Sequence, residues 1–225
     1  MLKTKRRRAP ARKVVRKPAD SETERRILDA ARTVFIRRGT AGARMQEIAA
    51  EAGVNQALLH YYYRSKERLS AAVFQQVASR LFPAVLGILG SELSLDDKID
   101  RLVATYIDNL MQNPFLPGYL LSELHHEPER VAQFLAAVSG SAPDAAFAPA
   151  FAVLGRQIKE RVDAGSMRPI TPQQFAVNLI SLCIFPFAAR PMLSMIIGMD
   201  NAAFTRFMEQ RRWELPAFFR SALRP

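Results

Sequence analysis

The residues best suited to chemistry lie in the run MQEIAAEAGVNQALLHYYYRSK, from Met45 to Lys66. Gln56, His60 and Tyr61 bring an amide, an imidazole and a phenol within six positions, and Lys66 adds an ammonium. Such groups hydrogen-bond base edges and phosphates, and the major groove of duplex DNA admits one helix. The chemistry implied is recognition.

A recognising helix needs a brace. Ile48 and Ala49 form a short apolar face, Gly53 permits a sharp reversal, and Val54, Leu59 and Tyr63 supply the matching face of a second short helix capped at Asn55. With Leu59 and Tyr63 turned inward, Gln56, Ala57, His60 and Tyr61 face out. Tyr62 can lie on either side. Ser65 and Lys66 open the next helix, whose free N–H groups and positive dipole end suit a phosphate. Arg44, just before the first short helix, is a candidate phosphate-binding cation.

Upstream, Ser21 with Glu24 forms an S-x-x-E capping pattern, and Ile27, Ala31, Val34 and Phe35 repeat at helical spacing until Gly39. Downstream, a long helix from Ser65 carries Leu69, Val73, Val77 and Leu81, with Pro83 expected to bend it. Helical patterning continues over 95–111, 118–125, 128–138, 147–164, 172–188 and 202–223, with no defensible strand. The expectation is an all-α chain: a basic tail over 1–20, a tri-helical helix-turn-helix unit over 21–66, and a helical remainder over 67–225.

The net charge is +11, but residues 1–18 hold nine Lys or Arg and no acid, leaving 23 basic against 21 acidic residues after them. A basic tail of this kind binds polyanions by counterion release, strongly at low salt and without sequence preference. Double-stranded DNA is the expected partner. No apolar run follows the tail as a secretory signal requires, and the stretch from Ala176 to Ala189 is short for a bilayer and holds Asn178 and Pro186. The lone Cys183 lies among apolar residues, as in a reducing compartment. No membrane association and a cytoplasmic location are expected.

G-x-S-x-G, H-E-x-x-H, the P-loop and the dinucleotide fingerprint are all missing from the sequence. The expectation is no catalytic residue, no cofactor and no metal. Glu123, His125, His126 and Glu127 invite a metal reading, but Pro128 follows and a solvated turn is favoured. A competing reading is an architectural DNA-binding protein whose tail supplies the affinity.

The run EIAAEAGVNQALLHYYYRSKERL resembles the signature of the TetR family of repressors, and ERRILDAARTVFIRRG resembles that family's first helix. The resemblance covers about residues 22–75. It implies a helical homodimer that binds a pseudo-palindromic operator and is released by a ligand. It implies that Gln46, Gln56, Ala57 and Tyr61 approach bases, and that His60, Tyr62 and Lys66 contact phosphates. His60 stands where a tyrosine is usual, Tyr63 where a phenylalanine is, and Arg44 where a capping threonine is.

Beyond residue 75 the reading rests on patterning. NLISLCIFPFAARPMLSMIIGM is apolar on more than one face, implying burial inside a subunit and against a partner. The resemblance places a four-helix dimer interface on the last two helices, with Phe185, Phe204, Phe207, Met208, Trp213 and Leu215 as contributors. Met111, Phe115, Tyr119, Phe134, Phe151 and Phe175 form a candidate set for a pocket that takes a small hydrophobic effector.

Overall fold

The computed structural model describes residues 18–126, 129, 132, 133, 135, 136, 140 and 142–225; side chains at 18, 19, 123–126 and 143 lie outside that description. The basic tail, Phe134, the helix expected over 128–138 and the cluster from Glu123 to Glu127 therefore fall wholly or largely outside it. Among the described residues the elements are helices: α1 Pro18–Gly42, α2 Met45–Glu51, α3 Gln56–Tyr62, α4 Lys66–Leu89 and α5 Leu95–Gln112. They continue as α6 Leu116–His126, α7 Pro143–Asp163, α8 Pro172–Ala188, α9 Arg190–Ile197 and α10 Asn201–Ala222.

Side-chain caps set several of the starts. Asn55 accepts from the Leu58 amide at 2.7 Å, Ser94 from Asp97 at 3.1 Å, Thr171 from Gln174 at 3.2 Å and Asp200 from Ala203 at 2.7 Å. Each satisfies a donor that a helix start leaves unpaired. Ser21, expected as a cap, lies inside α1, which already includes Pro18. Gly39 ends the regular part of α1 at φ 68°.

Two hydrophobic cores meet on α4. Ile27, Phe35, Ile48, Leu59, Leu69 and Val73 belong to the first; Phe74, Val77, Val85 and Leu89 join the second with α5, α7, α8 and α10. Pro83 does not interrupt α4, which runs unbroken to Leu89. By length and composition α4 is also apolar enough to cross a bilayer, which the sequence reading did not anticipate. Its apolar residues are used by the two cores.

The second core is centred on α5, which packs against α10, α8, α4 and α7. The outer side of α5 carries Asp96, Asp100 and Asp108, paired with Arg161 at 3.0 Å, Arg220 at 2.6 Å and Arg212 at 2.7 Å. Exposed pairs of this kind contribute little stability each, but three of them fix how α7 and α10 lie along α5.

The core also absorbs residues the sequence reading assigned elsewhere. Phe204, Met208 and Leu215 are at most 2% exposed, on the inner side of α10, so they have no surface left for a partner. Phe175 is fully buried, edge-on to Phe219 at 5.2 Å, and is not among the residues lining the cavity between α4, α5, α6, α7 and α8. Phe185 and Trp213 remain exposed at 55% and 74%. Phe207 is half-buried.

Among the described residues, a cavity of about 350 Å³ lies where α4, α5, α6, α7 and α8 converge. Of the pocket set, Phe151 lines it. Tyr119 does not line it and packs at 5.3 Å on Phe74, which does. Met111 packs on the core away from it, and Phe115 turns toward the first core, 5.7 Å from Phe35.

The helix α9 was not anticipated. The chain turns by 70° after α8 and forms eight more helical residues with none buried.

Pro186 lies inside α8, and its ring nitrogen cannot donate to the carbonyl four residues back. That carbonyl belongs to Leu182, and the half-buried Arg211 of α10 donates to it twice, at 3.2 and 3.0 Å. Burial of this guanidinium without a carboxylate lowers its pKa, yet its fork replaces the missing amide. Arg211→Ala should lower the unfolding free energy by about 1–2 kcal/mol, as expected when a buried carbonyl loses its donor. In a Pro186→Ala background, where the amide is restored, the same change should have less than half that effect. Urea unfolding of the four proteins measures this, and equal losses in both backgrounds would refute the role.

Candidate nucleic-acid interface

The short helices α2 and α3 are held from behind. Ile48, Ala49 and Leu59 are buried between them and α1, and Val54 is half-buried at the turn. Gly53 makes that turn at φ 62°, a left-handed conformation most residues resist, while the Val54 amide reaches back to the Ala49 carbonyl at 3.0 Å. The Arg26 guanidinium of α1 donates to the Ala52 carbonyl at 2.6 Å, satisfying an acceptor that the end of α2 leaves open.

The far end of α3 is tied to α1 by two phenols. Tyr63, 8% exposed, donates to Glu24 at 3.2 Å, and Tyr62 donates to Asp20 at 3.3 Å. Desolvation, followed by the Asp20 carboxylate, raises the Tyr62 pKa, so this phenol keeps its proton. Glu24 is therefore an anchor for α3.

The outward side carries what the sequence reading placed there. Gln56, Ala57 and His60 are exposed, and Tyr61 is 79% exposed. Its ring stands edge-on to Tyr62 at 5.5 Å. Gln46 and Arg44 are exposed at the start of α2; Arg44 occupies the cap position without a side-chain cap. Tyr62 is half-buried, its hydroxyl directed to α1.

Lys66 is half-buried at the start of α4, and its ammonium donates to the Ala41 carbonyl at 2.9 Å. Ser65 caps the same helix by accepting from the Arg68 amide at 3.3 Å. A cation thus sits at a helix N-terminus, an arrangement that attracts phosphate. Arg64 and Arg68, exposed beside it, were not singled out from the sequence; their position next to the capping serine was the available signal.

Acidic residues near the reader are neutralised. Glu47 and Glu51 of α2 both pair with Arg37 at 3.1 Å, and Arg38 lies 3.5 Å from Glu47. This removes repulsion toward a polyanion from the α2 side.

Residues 27–73 match the model of the bacterial regulatory proteins of the tetR family, and residues 92–217 match the tetracyclin repressor-like C-terminal domain. The chain belongs to the TetR family. It is 35% identical over 112 residues to the HTH-type transcriptional repressor SCO4008 of Streptomyces coelicolor, covering 48% of this chain and 57% of that one. Over 195 residues it is 25% identical to the HTH-type transcriptional repressor NicS of Pseudomonas putida, 84% of this chain and 86% of the relative. In fold it is similar to HlyIIR, a hemolysin II transcriptional regulator, with 22% identity, a TM-score of 0.55, and coverage of 91% and 98%. A TetR-family regulator of Mesorhizobium loti gives 18% identity and a TM-score of 0.56, covering 93% of this chain and all of that one. TetR regulators bind DNA through the helix-turn-helix unit, to which α1–α3 correspond.

A Cβ built at Gly53 would lie 3.1 Å from the Arg26 guanidinium that closes α2. Gly53→Ala combines that crowding with a left-handed φ and should destabilise the protein by about 1–3 kcal/mol. Chemical denaturation measures this directly. A loss under 0.3 kcal/mol would mean that the turn does not depend on glycine.

Proposed function

We propose that this chain is a ligand-responsive repressor that binds a pseudo-palindromic operator as a homodimer in the cytoplasm, without catalytic activity. The observation that carries the reading is the exposed row of Gln56, Ala57, His60 and Tyr61 on a helix anchored from behind by Arg26, Glu24 and Asp20. Gln46, Gln56, Ala57 and Tyr61 are assigned to bases. Arg44, His60 and Lys66 are assigned to phosphates, with Arg64 and Arg68 beside them; Tyr62 reaches a phosphate only by giving up Asp20. The named repressors among the relatives support the sign of regulation.

Dimerisation is supported by the apolar side chains left exposed on the last long helices, Val177 and Phe185 on α8 and Trp213 and Phe218 on α10. Large apolar side chains left exposed in this way favour association. Two copies joined there present two readers to one duplex, and the operator mirrors their symmetry.

Ligand response is supported by the corner between α5 and α6. Leu110 and Leu116 line the cavity. Between them, the buried Asn113 accepts from the Arg32 guanidinium of α1 at 2.7 Å, and Phe115 packs on Phe35. A ligand that favours one position of this corner also favours one position of α1, which is the unequal binding that coupling requires.

Selection from random duplexes with the full chain should yield an inverted repeat. Tyr61→Ala or Gln56→Ala should narrow the preference for that repeat over scrambled DNA about 5- to 100-fold, the range for one base contact. Removing residues 1–18 should lower affinity and flatten the salt dependence while keeping the preference. Binding indifferent to sequence from the outset would favour the architectural reading, which the nine cations of the tail otherwise support.

Arg32→Ala should raise amide exchange about 5- to 10-fold in residues 27–35 and leave residues 99–110 within about twofold, as loss of a local tie predicts. Equal change in both segments, or none in either, would show that the corner is not a specific link.

A further inference from the structure

The chemistry of the cavity restricts what it can hold. Residues from five helices line it, including Phe74, Phe82, Val85, Phe151 and Ile180, and among the described lining residues only Tyr106 has a polar side chain. No charged side chain is among them. An ion placed against this lining would find no charged side chain among the described residues to offset the hydration it gives up there, which is costly. Ionised carboxylates and ammonium groups are therefore poor ligands.

Tyr106 is 7% exposed, and no hydrogen bond among the described residues engages its hydroxyl. Its neighbour Cys183 is fully buried, with its thiol pushed up to about 12 from the ordinary 9.0. Burial likewise raises the Tyr106 pKa. Both stay neutral in the physiological range, so the phenol presents a hydrogen-bond donor and acceptor without charge. The hydroxyl belongs to a residue that lines the cavity, where a polar group of a ligand can form a hydrogen bond with it.

We propose that this cavity binds an uncharged, mainly apolar small molecule carrying one hydrogen-bonding group, which pairs with the Tyr106 hydroxyl. The inference rests on the ligand-responsive reading above and adds the class of ligand and the residue that selects it. A volume of about 350 Å³ lies near the lower end of ligand pockets, which run from about 300 to 1,000 Å³. It suits a fused bicyclic aromatic better than a long acyl chain.

The test uses the full chain and three probes of similar shape: 1-naphthol, 1-methylnaphthalene and 1-naphthoate, titrated by calorimetry. Naphthol should bind, and naphthoate should bind at least about 30-fold more weakly. Tyr106→Phe should weaken naphthol about 5- to 10-fold, the effect of one neutral hydrogen bond, and leave methylnaphthalene within twofold. Ala176→Leu, which adds bulk to the lining, should weaken both neutral probes about 10-fold or more; circular dichroism checks that both variants fold.

Naphthoate binding as tight as naphthol overturns the neutral class, and an unchanged naphthol affinity in Tyr106→Phe overturns the anchor. Failure of both neutral probes to bind the wild type overturns the proposal entirely. Operator affinity with and without naphthol is read in parallel. Binding at the cavity with no effect on DNA leaves this inference standing and removes the ligand-responsive reading.

Discussion

Leu69 and Val73 are buried in one core and Phe74 and Val77 in the next, so adjacent residues of a single helix serve two separate hydrophobic clusters. The helix α4 must therefore carry apolar residues over a wide part of its circumference. That requirement explains why it is apolar enough to pass for a membrane span. It also means the first core has no rigid border with the second: Val73 and Phe74 are neighbours on one hydrogen-bonded backbone, and a displacement of the α4 C-terminal half is transmitted to Leu69 without any additional contact. Packed helices move as units because interiors are dense and poorly compressible.

A second regularity concerns where the cations go. Arg26 closes the end of α2 at Ala52, Lys66 holds the Ala41 carbonyl, and Arg211 holds Leu182. Lys98, with no exposed surface, donates to the Leu89 carbonyl at the end of α4 at 2.6 Å. Burial lowers the Lys98 pKa and the Glu92 carboxylate opposes that shift, while carbonyl dipoles at a helix C-terminus also suit a cation. These are carbonyls that helix ends or a proline leave without an amide partner. Long basic side chains reach them across elements, so each such bond fixes one helix relative to another.

Features set by local chemistry were legible in the sequence. Asn55, Ser65, Ser94 and Thr171 each precede a helix and cap it, and the alternation of Leu59 and Tyr63 with His60 and Tyr61 fixed the two sides of α3. Features set by competition between surfaces were not. Along α10, Phe204, Met208, Trp213 and Leu215 are equally apolar, and only the position of α5 decides that three face inward and Trp213 outward. The cavity has the same character, since it needs five helices to converge and its lining residues span Phe74 to Ile184. Ser21 lies inside α1 despite its capping pattern, and the bond from Tyr63 to Glu24 spans 39 residues, beyond what a local pattern reveals.

The distribution of charge separates affinity from specificity. Of the cations around the reader, Arg26 is occupied by backbone carbonyls, Arg37 and Arg38 by carboxylates, and Lys66 by Ala41. The groups on the open side of α3 are an amide, a methyl, an imidazole and a phenol. Uncharged groups of this type gain little from counterion release and depend on geometry, which favours the correct base over the wrong one. The nine cations before residue 18 have the opposite properties: strong attraction to any polyanion, no preference for sequence and steep salt dependence. Joining the two in one chain raises residence on any duplex without raising the ratio of right to wrong sites. For a regulator searching a genome that ratio must come from the exposed residues of α2 and α3, so the ties made by Arg26, Glu24 and Asp20 matter more to specificity than the net charge.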